Sequence, residues 1–95
     1  MDEMLLQRYR VPAHVVHRPF AEETVVLNLR TGQYHGLNPV AGRMLEVIEE
    51  TGDPQQAVQR VAAEWQMEPS RVRADAEQLC ADLLDRQLIE PAGDG

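Results

Sequence analysis

The spacing of apolar residues changes character near residue 38. Before that point the period is two. Thr24-Val25-Val26-Leu27-Asn28-Leu29 alternates, with Val25, Leu27 and Leu29 on one face and Thr24, Val26 and Asn28 on the other, and this predicts a strand. His14-Val15-Val16-His17-Arg18 is short and rich in β-branched residues, and Pro19 is expected to end it. Arg30-Thr31-Gly32 supplies a tight reversal, because Gly32 can take positive φ without strain. Gln33-Tyr34-His35-Gly36-Leu37 then returns as a third strand. The natural reading is a three-stranded antiparallel meander.

After residue 38 the period becomes helical. Asn38 is a good N-cap and Pro39 suits the first helical position; Val40, Met44, Val47 and Ile48 follow at helical spacing until Gly52 closes the run. Asp53 and Pro54 open a second helix, with Gln56 placed to complete a capping box and a stripe of Val58, Val61, Ala62 and Trp65. Trp65 is expected to be core. Pro69 opens a third helix reaching about Gln87, with a stripe of Val72, Ala76, Leu79 and Leu83 widened by Cys80 and Leu84. Leu88-Ile89 could add a short extended piece. The expected fold class is α+β, a three-stranded antiparallel sheet followed by three helices.

Ninety-five residues make one domain. Residues 1–12 are expected to be a flexible N-terminal arm, 13–90 the folded domain and 91–95 a disordered tail. The hydrophobic fraction of 43% supports a real core, built mainly from aliphatic residues because aromatics are only 4%. Net charge is −7, which argues against nucleic acid as the main partner, since phosphate binding needs a basic face. The charge is uneven: residues 1–43 balance at +1 and residues 44–95 at −8. No apolar run is long enough for a signal peptide or a membrane span, so a cytoplasmic protein is expected.

Catalytic chemistry needs convergent polar groups, and the sequence offers few. Cys80 lies mid-helix beside the apolar stripe, without the base or helix N-terminus that would activate a thiol. A single cysteine also excludes an internal disulfide. His14 and His17 point to opposite faces of their strand, which argues against a shared metal site, and no metal or other cofactor is expected. His35, on the third strand, is the histidine best placed to meet a ligand. Glu22-Glu23 and Glu49-Glu50 read as solvated surface, and Gly32 and Gly36 lead into no phosphate loop.

The informative feature is an edge. Pro12 and Pro19 blunt the first strand. Nothing interrupts residues 33–37, so the third strand keeps its outward donors and acceptors. Either an extended peptide adds there as a fourth strand, or the edge is covered by residues 1–12 or by a second subunit.

The segment Val25-Val26-Leu27-Asn28-Leu29-Arg30-Thr31-Gly32-Gln33-Tyr34-His35-Gly36-Leu37-Asn38, with Gly42 beyond it, resembles the PqqD-like family, the leader-recognition domains of ribosomally made, modified peptides. The resemblance spans roughly residues 13–90. It implies a winged helix-turn-helix-like fold that holds a precursor's leader as an added strand beside the third strand, in a groove walled by the third helix. As a free-standing chain, this one is similar to the recognition subunit of lasso-peptide pathways, which works with a separate leader peptidase and a cyclase and is not itself an enzyme. The site so implied is the backbone of Gln33, Tyr34, His35 and Gly36, faced by Asp75, Leu79 and Asp82 along one line of the third helix. Pattern alone does not fix which side of that helix meets the groove. The sequence departs from the family at Gln87, where glycine is common, so the last helix is expected to end differently, and near Leu45, where an aromatic is common.

The rival from another class is a winged-helix DNA-binding regulator. Three arginines (Arg71, Arg73, Arg86) against four acids (Asp75, Glu77, Asp82, Asp85) over residues 69–87 make a poor recognition helix.

Overall fold

The computed structural model describes residues 3–92. In chain order it comprises α1 (Glu3–Leu6), β1 (Tyr9–Arg10), β2 (Val15–Phe20), β3 (Glu23–Asn28), β4 (Tyr34–Leu37), α2 (Pro39–Thr51), α3 (Pro54–Glu64), α4 (Pro69–Asp85) and β5 (Glu90–Pro91). The sheet β2-β3-β4 is the expected antiparallel meander, followed by three helices. The fold is α+β.

Pro19 does not end the first strand of the meander; it lies inside β2. The register explains why it is tolerated. Leu29 N–H donates to His14 O, so alternate residues from His14 (Val16, Arg18, Phe20) carry the bonds to β3. Val15, His17 and Pro19 therefore direct their backbone groups to the free side, where proline forfeits no ladder bond.

Of the two faces of β3, the one turned inward is Thr24, Val26 and Asn28, while Leu29 is 57% exposed. The more apolar face is thus the outer one. Thr24 meets Gly42 of α2. A Cβ on Gly42 would collide with the Thr24 hydroxyl and stand 2.8 Å from the Thr24 Cβ, so glycine is what lets α2 lie against the sheet. Asn28 turns its Oδ1 into the hairpin, accepting from Arg30 N–H (2.9 Å) and Thr31 N–H (3.3 Å).

The helix caps follow the sequence closely. Asn38 Oδ1 accepts from Ala41 N–H at 2.8 Å, and Gly52 closes α2 at φ 74°. Asp53 Oδ1 accepts from Gln55 N–H. Gln56, however, forms no capping box: its Oε1 accepts from Arg60 instead. Trp65 is not core. It follows the last turn of α3 as its C-cap and stands 44% exposed, and Ala57 and Val58, Val61 and Ala62 make the buried stripe.

Residues 3–12 are not an arm outside the domain. Leu5 and Tyr9 are fully buried, Tyr9 donates its hydroxyl to Met4 O (2.7 Å), and β1 pairs with β5. Burial of two large apolar groups explains the order: each contributes about 1.5–3 kcal/mol. The expected tail is likewise corrected at its start, since Pro91 pairs with Tyr9 and Ala92 N–H reaches Arg8 O; Met1, Asp2 and residues 93–95 lie outside the described residues. Leu88 and Ile89 are buried.

The last helix ends without a glycine. Gln87 takes φ 62°, the left-handed conformation that glycine adopts freely, and Leu88 N–H returns to Leu83 O (2.8 Å) as in a Schellman ending. Two stability predictions follow from these close fits. Gly42→Ala should lower the urea unfolding free energy by about 1–3 kcal/mol, the usual cost of overpacking. Gln87→Gly should raise it by about 0.5–1 kcal/mol by relieving left-handed strain, with an unchanged denaturant slope.

Candidate functional site

The third strand of the meander, β4, is an open edge, and its parity is fixed. Asn28 N–H donates to Gln33 O, so Gln33, His35 and Leu37 face β3, with His35 opposite Val26 and Leu37 opposite Thr24. Tyr34 and Gly36 consequently direct their N–H and C=O groups away from the sheet. Among the described residues none meets those groups. Residues 3–12 do not cover this edge, being paired with β5 instead. β4 thus presents two outward donors and two outward acceptors on a strand paired from behind with β3.

Beside this edge runs a cleft of about 500 Å³ between β4, the start of α2, and α4. Its apolar lining is Leu37, Val40, Ala41, Met44, Met67 and Leu79. Its α4 wall is Arg71, Asp75, Gln78, Leu79 and Asp82, positions that recur every three or four residues and so share one side of the helix. The face of the helix that meets the cleft is therefore the Asp75–Leu79–Asp82 line. A smaller chamber of about 110 Å³ continues it toward His35, Leu83, Arg86 and Leu88. At that end Arg86 Nη1 donates to His35 Nδ1 (2.7 Å), the strut that bridges α4 to β4. α4 runs antiparallel to β4, so Arg86 stands near His35 while Arg71 stands near Asn38.

This geometry, an unpaired strand edge above a cleft of mixed apolar and polar lining, suits an extended peptide. The comparisons with known proteins agree. A family profile described as Coenzyme PQQ synthesis protein D (PqqD) matches residues 23–89. The chain belongs to the PqqD family. Two solved structures share the fold: TbiB1 in complex with the TbiA(beta) leader peptide (29% identity, TM-score 0.78, covering 90% of this chain and 99% of that one) and a lasso peptide synthetase B1 complexed with the leader peptide (20% identity, TM-score 0.77, covering 88% and 99%). No curated protein matches the chain.

The site residues named from the sequence divide on the PqqD fold. Asp75, Leu79 and Asp82 share the cleft wall, Leu79 buried and the two acids exposed. Tyr34 and Gly36 hold the open edge. His35 contributes its side chain to the small chamber, while its backbone is committed to the ladder with Val26. Gln33 lies just before β4 and its carbonyl is spent on Asn28. Sequence reasoning missed Arg71 and Gln78 on α4, Arg86 at its C-cap, Val40, Ala41 and Met44 on α2, and Met67 just before α4. The helical spacing from Asp75 to Asp82 extends directly to Arg71 and Gln78; Met67 precedes α4 and carries no such signal.

Other chemically capable residues are dispersed. His14 Nε2 lies 3.2 Å from Gln87 O, His17 Nε2 lies 2.8 Å from Glu49 Oε1, and His35 is on the strut, so the three histidines stand in separate contacts. Among the described residues no group of three His, Cys, Asp or Glu could hold a metal. No helix in the described residues is long and apolar enough to cross a membrane. Cys80 is fully buried, and burial pushes its thiol from 9.0 up to about 11. The neutral thiol is favoured in the fold, so its stabilising share is complete below pH 9 and fades as pH rises toward 11. Native protein at pH 8 should therefore react with a thiol reagent only through unfolding, its rate rising steeply with urea; fast stoichiometric labelling of the native chain would contradict this burial.

Proposed function

We propose that this chain is a non-catalytic recognition subunit that binds the leader segment of a ribosomally synthesised precursor peptide in lasso-peptide biosynthesis or a related modification pathway. The observation that carries this reading is the open β4 edge: outward groups on Tyr34 and Gly36 above a cleft walled by α4. The leader adds as a fourth strand. Main-chain bonds supply sequence-tolerant affinity, and inward side chains sample the cleft. The two structural relatives, both complexed with leader peptides, support this reading. The chain works in the cytoplasm with a separate leader peptidase and a cyclase, raising the effective concentration of the precursor at those enzymes. DNA binding is not favoured: the open face of α4 carries Asp75 and Asp82, which would repel a phosphate backbone.

The register indicates the variant that tests strand addition. Tyr34→Pro removes an outward N–H while leaving every β3–β4 ladder bond in place. Peptides selected by the wild-type chain from a displayed random library should bind Tyr34→Pro roughly tenfold or more weakly by fluorescence polarisation, the loss of a main-chain bond plus the ring's intrusion. Equal affinity in a folded variant would sink the reading. Asp75→Arg or Asp82→Arg should change affinity less, and the change should shrink as salt is raised, because both acids are exposed.

A further inference from the structure

The small chamber at the end of the cleft has its own chemistry. Leu79, Leu83 and Leu88 line it from the helix side and Leu37 from the strand side, and it is bounded by His35 and Arg86. A space of about 110 Å³ suits one aliphatic side chain. Beside it stands Arg86, whose recorded side-chain partner is an imidazole nitrogen that accepts only while it carries no proton. Among the described residues no carboxylate pairs with Arg86; Arg8, Arg18, Arg30, Arg71 and Arg73 are likewise without one, but of the six only Arg86 borders the small chamber, Arg71 standing at the other end of the cleft. One bond to a neutral nitrogen leaves most of the guanidinium's five donors unused. A carboxylate would take two of them in a planar fork, with opposite charges and better geometry than the imidazole offers.

We propose, resting on the leader-binding reading above, that Arg86 is a specificity-determining residue that selects an acidic residue in the bound peptide. An Asp or Glu of the peptide takes the guanidinium from His35, next to an aliphatic side chain seated in the chamber. Both side chains point inward from the added strand. Residues on one face of a strand recur at every second position, so one residue separates the aliphatic anchor from the acid. Asp82 lies one turn before Arg86 and also lines the chamber. It repels a carboxylate on its own side, which places the acid toward the Tyr34 end of β4 and the aliphatic residue toward Leu37. The Asp75–Asp82 stretch of the cleft then faces the rest of the peptide, and the bound segment is ordered in charge along the edge.

The test is selection from one displayed random peptide library on the wild-type chain, Arg86→Gln and Arg86→Glu, with urea unfolding confirming that each variant is folded. Wild type should enrich an aliphatic residue and an Asp or Glu two positions apart. Arg86→Gln should keep the aliphatic preference and lose the acidic one, and Arg86→Glu should exchange it for Lys or Arg. If Arg86→Glu does not fold, Arg86→Gln decides alone. Replacing the selected acid by its amide should weaken binding to wild type about tenfold and to Arg86→Gln hardly at all. Acid enrichment that persists in both variants, or is absent from wild-type binders that Tyr34→Pro rejects, overturns the role of Arg86 while leaving strand addition intact. A wild-type chain that selects no peptide, or the same peptides as Tyr34→Pro, overturns strand addition and this inference with it.

Discussion

Everything at the β4 edge depends on the register of β3. A strand presents alternate residues to opposite faces, so a slip of one position would exchange the whole inner set for the outer. Hydrophobicity would favour the slipped arrangement, since Val25, Leu27 and Leu29 are more apolar than Thr24, Val26 and Asn28. Two contacts hold the observed register against that tendency. At one end Thr24 fits the space left by the missing Cβ of Gly42, letting α2 lie close to the sheet. At the other Asn28, buried and facing inward, ties the hairpin through Arg30 and Thr31. A leucine in its place could satisfy neither amide.

That register then fixes the site. With Val26 inward, His35 and Leu37 are carried inward on β4 and their backbone groups are spent on the ladder, which leaves Tyr34 and Gly36 to face the open side. The other wall is set by the end of the chain. Gln87 turns α4 back on itself, Leu88 and Ile89 sink into the core, and β5 is clasped by β1. His14 adds a contact to Gln87 O, joining the start of the sheet to the end of α4. The cleft is thus the gap between β4 and α4, each anchored from behind.

The three helices, their prolines and three of their caps were legible because cap chemistry is local: Asn38, Gly52 and Asp53 act within a turn of their own positions. The meander was legible for the same reason. What failed was decided at long range. Tyr9 reads as part of a flexible arm until Glu90 and Pro91 arrive to pair with its strand, a contact between residues far apart in the chain. Trp65 continues the helical spacing of α3, but the helix stops just before it, and periodicity cannot see that stop. The line Asp75–Leu79–Asp82 could be drawn from spacing, yet its facing required the position of α4 against β4. Arg86 gave no sign, since only the fold brings it to His35.

The two edges of the sheet show why binding falls to β4. On β2 the outward positions are Val15, His17 and Pro19; Val15 N–H is taken by Pro12 O and Pro19 has none to give, so a single donor remains. On β4 both outward donors survive, and the strand borders a cleft rather than open solvent. An incoming peptide must lose its own conformational freedom, of the order of 1–2 kcal/mol for each residue fixed, and a few edge bonds at about 1 kcal/mol each cannot offset that alone. The apolar part of the cleft is therefore a requirement and not an ornament: burial of inward side chains against Leu37, Met44 and Leu79 has to supply the difference. Edge bonds fix the peptide's direction and register, and the cleft determines which peptides stay.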